Sequence, residues 1–187
     1  IQNNTIMLAK FAVKNFRGFA ERIEWDLSHP SNYSFNTYAV KDGVIKNGII
    51  YGPNGSGKTN FSVALFDIVN HLTQKSKKPD YYQNFVYGGD SNLMVEFEYT
   101  FQFGNKTIEY QYSKNVFGAL VKEALIVGGT VIFKRRIGTL ELNEQQFPIN
   151  KDAKRNLQMN ANSISIVNYL LTSYPLAHDH YLIQMRN

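Results

Sequence analysis

The chain has 187 residues, 43% hydrophobic and 19% charged, a balance that reads as one globular domain rather than a disordered segment. It contains no cysteine, which excludes disulfide staples, thiolate chemistry and cysteine-type zinc sites and allows a reducing compartment. A net charge of +5 with a pI near 9.3 admits nucleic acid as a partner without demanding it, and no apolar run approaches the roughly 20 residues that span a bilayer, so the expected location is the cytoplasm.

Residues 1–6 read as a leader or extension before the first patterned segment, which Met7 opens. Residues 8–16 put Ala9, Phe11 and Val13 on one face and Lys10, Ala12 and Lys14 on the other. Residues 22–27 alternate Ile23, Trp25 and Leu27 against Arg22, Glu24 and Asp26. This period predicts two half-buried strands joined by a turn around Gly18. After a polar loop at residues 28–36, residues 38–40 and 44–45 flank Asp42-Gly43, a hairpin turn. The apolar run Gly48-Ile49-Ile50-Tyr51 predicts a short strand that enters a glycine-rich stretch.

From Lys58 the period changes. Phe61, Ala64, Leu65, Ile68, Val69 and Leu72 recur at three and four residues, which predicts one amphipathic helix, followed by a basic surface loop with Lys75, Lys77 and Lys78. Residues 93–103 carry Leu93, Val95, Phe97, Tyr99, Phe101 and Phe103 on one face, and Gly104-Asn105 turns the chain into a returning strand with Ile108, Tyr110 and Tyr112. A second hairpin is expected around Gly128-Gly129, a further strand at residues 137–142, a polar loop at residues 143–160, and a helix at residues 163–171 capped by Ser163 with Ile164, Val167 and Leu171 inward. One strand, loop and helix unit is thus embedded among antiparallel hairpins, which is not the regular alternation of a doubly wound sheet.

The chemistry sits in Gly52-Pro53-Asn54-Gly55-Ser56-Gly57-Lys58-Thr59, a match to G-x-x-x-x-G-K-[ST] at every fixed position. A backbone that wraps a phosphate must visit conformations that a β-carbon blocks, which suits Gly52, Gly55 and Gly57. Successive N–H groups then form an anion nest at the positive end of the following helix. Lys58 supplies a cation between the β- and γ-phosphates, and Thr59 a hydroxyl for Mg²⁺, a cation that prefers oxygen ligands. Asn60 reaches the α-phosphate side. The expected ligand is Mg-ATP.

Asn15-Phe16-Arg17-Gly18-Phe19, followed by the loop read as Tyr-Gly-Pro-Asn-Gly-Ser-Gly-Lys-Thr-Asn, resembles the head domain of the ATP-binding-cassette class. The branch is that of the structural-maintenance-of-chromosomes proteins, the recombination protein RecF and the overcoming-lysogenisation-defect nucleases, with bacterial AAA-like ATPases of abortive-infection and anti-phage systems closer still. The later pattern is similar too: an alternating strand, a hairpin, a Glu before a strand (Glu123) and an Arg ending one (Arg135 or Arg136). The resemblance implies an α/β P-loop fold in which residues 7–187 form a first lobe, antiparallel hairpins packed beside the P-loop strand and helix, with the second lobe absent. It implies that Arg17 lies near the nucleotide and that Gln83 is a candidate to touch Mg²⁺ and the attacking water. It also implies assembly around nucleotide with a second copy or a second lobe, in DNA maintenance or phage defence, with DNA as a further partner.

The sequence departs from that pattern in ways that bear on activity. A hydrolytic site of this class needs an apolar strand ending in Asp-Glu after the P-loop, and none is found; residues 63–67 are the nearest string but belong to the helix. The Ser-Gly-Gly-Gln-like signature and the late histidine are missing, and residues 87–90 and 127–130 read as turns. The expectation is therefore phosphate binding with poor hydrolysis by this chain alone, Lys58 being the catalytic-class residue present. Two other readings stay open: a self-contained P-loop kinase or GTPase, which would require an N-K-x-D or a downstream Asp strand, and a non-catalytic nucleotide-gated module. His178-Asp179-His180 reads as a solvated loop rather than a metal site, because two alternating ligands lack a third partner.

Overall fold

Alternation with a period of two builds most of this protein. The computed structural model describes residues 6–31, 34–73, 75, 77–146, 150–159, 164–178 and 180–186. In chain order the strands are β1 (Ile6–Lys14), β2 (Ile23–Asp26), the small hairpin β3 (Val40–Lys41) and β4 (Val44–Ile45), then β5 (Val95–Phe103), β6 (Lys106–Lys114), β7 (Leu120–Val127), β8 (Thr130–Arg136) and β9 (Thr139–Leu142). Seven of them form one antiparallel sheet in the order β2-β1-β5-β6-β7-β8-β9. Register places Phe11, Tyr99, Tyr110, Leu125 and Phe133 side by side across five strands, all of them buried.

The opposite face of the sheet is polar. Arg22 bridges Glu24 and Glu98, and Lys10 bridges Glu24 and Asp26, across β2, β1 and β5. Exposed pairs of this kind add little stability, but they place charge along the edge strand, where it opposes pairing with foreign strands.

Against the apolar face lie α1 (Lys58–Leu65), α2 (Asp67–Thr73), α3 (Lys151–Met159), α4 (Ile166–Ser173) and α5 (Tyr181–Arg186), which supply Ala64, Leu72, Leu157, Val167, Leu170 and Leu182 to the core. The single amphipathic helix expected from Lys58 is broken at Phe66, and side chains explain the break. Tyr99 donates its hydroxyl to the carbonyls of Ala64 (3.0 Å) and Leu65 (3.2 Å), which are then drawn away from the helical ladder. Asp67 turns into the core to meet Lys114 Nζ at 2.5 Å and the Tyr112 hydroxyl at 2.9 Å.

Three further expectations are corrected. The polar stretch at residues 143–160 contains α3, started by Asn150 Oδ1 accepting the Ala153 N–H at 2.7 Å and anchored by Leu157, its one buried residue. The cap of α4 is Ser165, whose Oγ accepts the Asn168 N–H at 3.1 Å; Ser163 lies outside the described residues. The region after His178 is not simply a solvated loop, because His180 Nδ1 accepts the Leu182 N–H at 3.2 Å and starts α5; Asp179 lies outside the described residues.

The fifth correction bears on the site. Residues 48–51 form no strand: Ile49 is 89% and Tyr51 91% exposed, and no neighbouring strand among the described residues offers them a ladder. An extended apolar run becomes a strand only through a partner's hydrogen bonds. The approach is nevertheless fixed, since a β-carbon at Gly48 would meet the Trp25 ring at 2.5 Å, and Trp25 in turn packs edge-on against Phe61 of α1 with centroids 5.7 Å apart.

One buried group makes stability depend on pH. His71 of α2 stacks on Tyr112 with centroids 4.1 Å apart and its Nε2 meets the Tyr110 hydroxyl at 2.7 Å. Burial first, then the cations of Lys114 and Arg135, push its pKa well below the ordinary histidine value. Below about pH 6.5 the unfolded chain takes up a proton at this histidine that the native state refuses, so stability falls with falling pH at about 1.4 kcal/mol per unit. Urea midpoints of the wild type between about pH 7.5 and 5.5 are expected to decline. His71→Gln lowers stability throughout but flattens that decline; an equal slope in both proteins would remove His71 as its source.

Candidate phosphate-binding site

The eight-residue loop 52–59 leads into α1 through Gly57, whose φ of 93° lies in the left-handed region that favours glycine. The first helical bond runs from the Phe61 N–H to the Gly57 carbonyl at 2.9 Å, so the amides before it are free of the ladder, as at any helix start. Residues 54–60 line a concavity of about 300 Å³ at this end of α1. Lys58 folds back over the loop: its Nζ donates to the carbonyls of Gly52 and Pro53, both at 2.7 Å, and stands 3.5 Å from Ser56 Oγ. The ammonium is thereby held at the loop mouth. Free helix-start amides beside a fixed cation form a donor set suited to a polyphosphate.

Thr59 is exposed and Asn60 half-buried at the loop's end. Among the described residues no group of three or more His, Cys, Asp or Glu could hold a metal ion. A Mg²⁺ at Thr59 would therefore rest on its hydroxyl together with phosphate oxygens and water, which accords with the few protein ligands this ion takes in nucleotide sites.

The turn Asn15-Phe16-Arg17-Gly18-Phe19 buttresses the loop from the side. Asn15 Nδ2 donates to the Met94 carbonyl (3.1 Å), the Arg17 N–H to the Phe85 carbonyl (3.1 Å) and the Tyr87 N–H to the Asn15 carbonyl (2.9 Å). Phe16 is fully buried against Phe85 and Phe97. A β-carbon at Gly57 would meet the Phe19 ring at 3.0 Å, and one at Gly18 would lie 3.7 Å from Asn60 Nδ2. Arg17 reaches Asn60 Oδ1 through Nη1 at 3.4 Å while its own backbone sits at φ 50°. Asn15, at φ 58°, adopts the same sparsely populated region. Two such residues in one turn are a conformation that surrounding structure must enforce.

Arg17 thus stands beside the loop's end, against Asn60. Gln83 is exposed at the end of a 3-10 turn, Pro79–Tyr82, with its N–H on the Asp80 carbonyl at 3.2 Å; nothing in that geometry ties its side chain to the loop. Glu123 lies inside β7 rather than before a strand, directly opposite the buried Arg135 of β8, while Arg136 is exposed. Residues 87–89 and 128–129 are turns with glycines at positive φ. Lys75, Lys77 and Lys78 are exposed. Tyr81 escapes a reading of the sequence altogether, yet its carbonyl lies 3.5 Å from Arg17 Nη2 across 64 positions of chain. Among the described residues no helix is long and apolar enough to cross a membrane. The sequence matches no protein-family model, and no curated protein matches it either.

Proposed function

We propose that this chain is the phosphate-binding lobe of a cytoplasmic ATPase like those of the structural-maintenance-of-chromosomes and RecF branch, with residues 52–59 holding the triphosphate of Mg-ATP. The observation that carries this reading is the Lys58 ammonium fixed at the start of α1 by the Gly52 and Pro53 carbonyls. Arg17, placed against Asn60, adds a second cation on the side where the α-phosphate would leave the loop. Bound Mg-ATP would supply a γ-phosphoryl group, and its transfer to water, with the β–γ anhydride bond broken and ADP leaving, needs positioning and charge stabilisation. Lys58 and the loop amides neutralise charge, Thr59 offers the metal an oxygen, and Arg17 orients the nucleoside side.

Residues 54–60 include no carboxylate to orient or deprotonate water. This favours binding without turnover by the chain alone and keeps a nucleotide-gated assembly module as a second reading. Ile49 and Tyr51, exposed beside the loop with no backbone partner among the described residues, support association with another lobe or copy. Such assembly would serve DNA maintenance or phage defence.

Calorimetric titration of Mg-ATP and of Mg-GTP, with phosphate release followed in the same sample, tests the reading. The expected result is saturable Mg-ATP binding without turnover. Steady phosphate release by the chain alone would instead point to a self-contained NTPase, and heat-silent titrations with both nucleotides would sink the proposal.

A further inference from the structure

We propose that Tyr81 and Lys77 complete the nucleoside side of the site, Tyr81 as the ring that positions Arg17 and Lys77 as a second cation beside it. This rests on the reading that residues 52–59 hold a triphosphate, and it concerns what that reading leaves open: how the site distinguishes a nucleotide from a bare polyphosphate.

The first observation is a concentration of unspent hydrogen-bonding capacity. Among the described residues four buried side-chain atoms lack a hydrogen-bond partner, and two of them, Arg17 Nε and the Tyr81 hydroxyl, belong to this one cluster. The bonds Arg17 does make, to Asn60 Oδ1 at 3.4 Å and to the Tyr81 carbonyl at 3.5 Å, lie at the outer limit of bonding distance. A guanidinium carries five donors in a fixed fork, and one held so loosely can turn to an acceptor on the ribose or base at small cost.

The second observation is how the cations are held. The Arg17 guanidinium carbon stands 5.4 Å from the Phe16 ring centroid and 5.3 Å from that of Tyr81, and Lys77 Nζ stands 5.6 Å from the Tyr81 centroid. The negative face of an aromatic ring attracts each cation without spending its donors. Neither cation forms an ion pair among the described residues. Tyr81 is itself fixed, packed edge-on against Tyr82 at 5.2 Å and tilted against Phe85 at 6.0 Å. Its hydroxyl is shielded from solvent, so the ring rather than the phenol oxygen does the positioning.

The third observation is direction. Lys58 marks the end of the cradle where the β- and γ-phosphates belong, Asn60 is two residues further along α1, and Arg17 touches Asn60. A triphosphate seated on Lys58 therefore has its α-phosphate beside Asn60, and the ribose leaves past Arg17 toward Tyr81 and Lys77. Inorganic tripolyphosphate ends before that wall.

The test compares Mg-ATP with Mg-tripolyphosphate on the full chain by calorimetry. The wild type is expected to prefer ATP. Tyr81→Leu weakens ATP about tenfold and Lys77→Ala about threefold, while both leave tripolyphosphate affinity within about twofold of the wild type. Tyr81→Phe keeps the wild-type preference, because the ring remains. Lys77 is exposed, so its replacement keeps the comparison valid even where Tyr81→Leu lowers the melting temperature. An unchanged ATP-to-tripolyphosphate ratio in both variants overturns the inference and spares the phosphate loop, as does an equal loss of both ligands in Tyr81→Leu. Failure of the wild type to bind either ligand overturns the phosphate reading, and this inference falls with it.

Discussion

Replacing Lys58 by alanine is expected to weaken Mg-ATP binding more than about a hundredfold while leaving the protein folded. The two consequences separate cleanly because of where the side chain sits. Among the described residues its ammonium bonds only to atoms of its own loop, the carbonyls of Gly52 and Pro53 and more distantly Ser56 Oγ, and none of these is a core contact. With Lys58 gone, water reaches both carbonyls, which belong to exposed residues, so the fold loses no more than about 0.5 kcal/mol. On the proposed reading, binding loses the cation that would lie between the two outer phosphates. Charge-assisted contacts of that kind are worth about 3 kcal/mol where the partner anion is held in place, or somewhat more than a hundredfold in affinity. Calorimetry beside a thermal melt checks both halves. A folded Lys58→Ala protein that binds Mg-ATP as tightly as the wild type would end the phosphate-loop reading.

That site is legible in the sequence because its requirements are local. Glycines where the backbone must turn, a lysine at the helix start and a hydroxyl after it fall within eight consecutive positions, and the same holds for the alternating strands, where each side chain's face follows from its parity. The unread parts depend on distant partners. Whether residues 48–51 become a strand is decided by a neighbour, not by their own apolarity. The break at Phe66 comes from Tyr99 and Lys114, which lie far along the chain on strands of the sheet. Asp67 reads as one more polar residue on a helix until Lys114 is placed opposite it. α3 has one buried residue, Leu157, too few to declare a helical period. Tyr81 becomes part of the site only because its turn packs against Arg17. Gln83, given a role by the resemblance, stands exposed at the end of its turn, where no described contact ties it to the loop.

The largest loss of stability from a single side chain is expected at Glu123, about 4 kcal/mol for Glu123→Ala, or a fall in melting temperature of about 12 °C for a protein of this length. The carboxylate is 1% exposed and serves four donors: the hydroxyls of Tyr110 and Ser165, both at 2.7 Å, and the Ile166 and Val167 amides at 2.8 and 3.3 Å. It is also the buried anion nearest Arg135, whose Nη2 is 3.7 Å away and whose Nη1 holds the Ile164 carbonyl at 2.6 Å. Alanine would strand that guanidinium in the core and leave the first amides of α4 without an acceptor, two penalties of the kind that polar burial exacts most heavily. Because the damage is an unpaired charge rather than a lost bond, removing both partners should be milder than removing one. The double variant Glu123→Leu, Arg135→Met is expected to recover more than half of the loss, which urea unfolding of the two proteins would measure. A double variant no more stable than Glu123→Ala would mean that helix capping, not charge pairing, dominates. The same network reaches α2, since Tyr110 also meets His71 and Asn168 of α4 holds the Leu72 carbonyl. The segment that follows the loop's helix is therefore anchored to the sheet and to α4 through the residues that gather around Glu123.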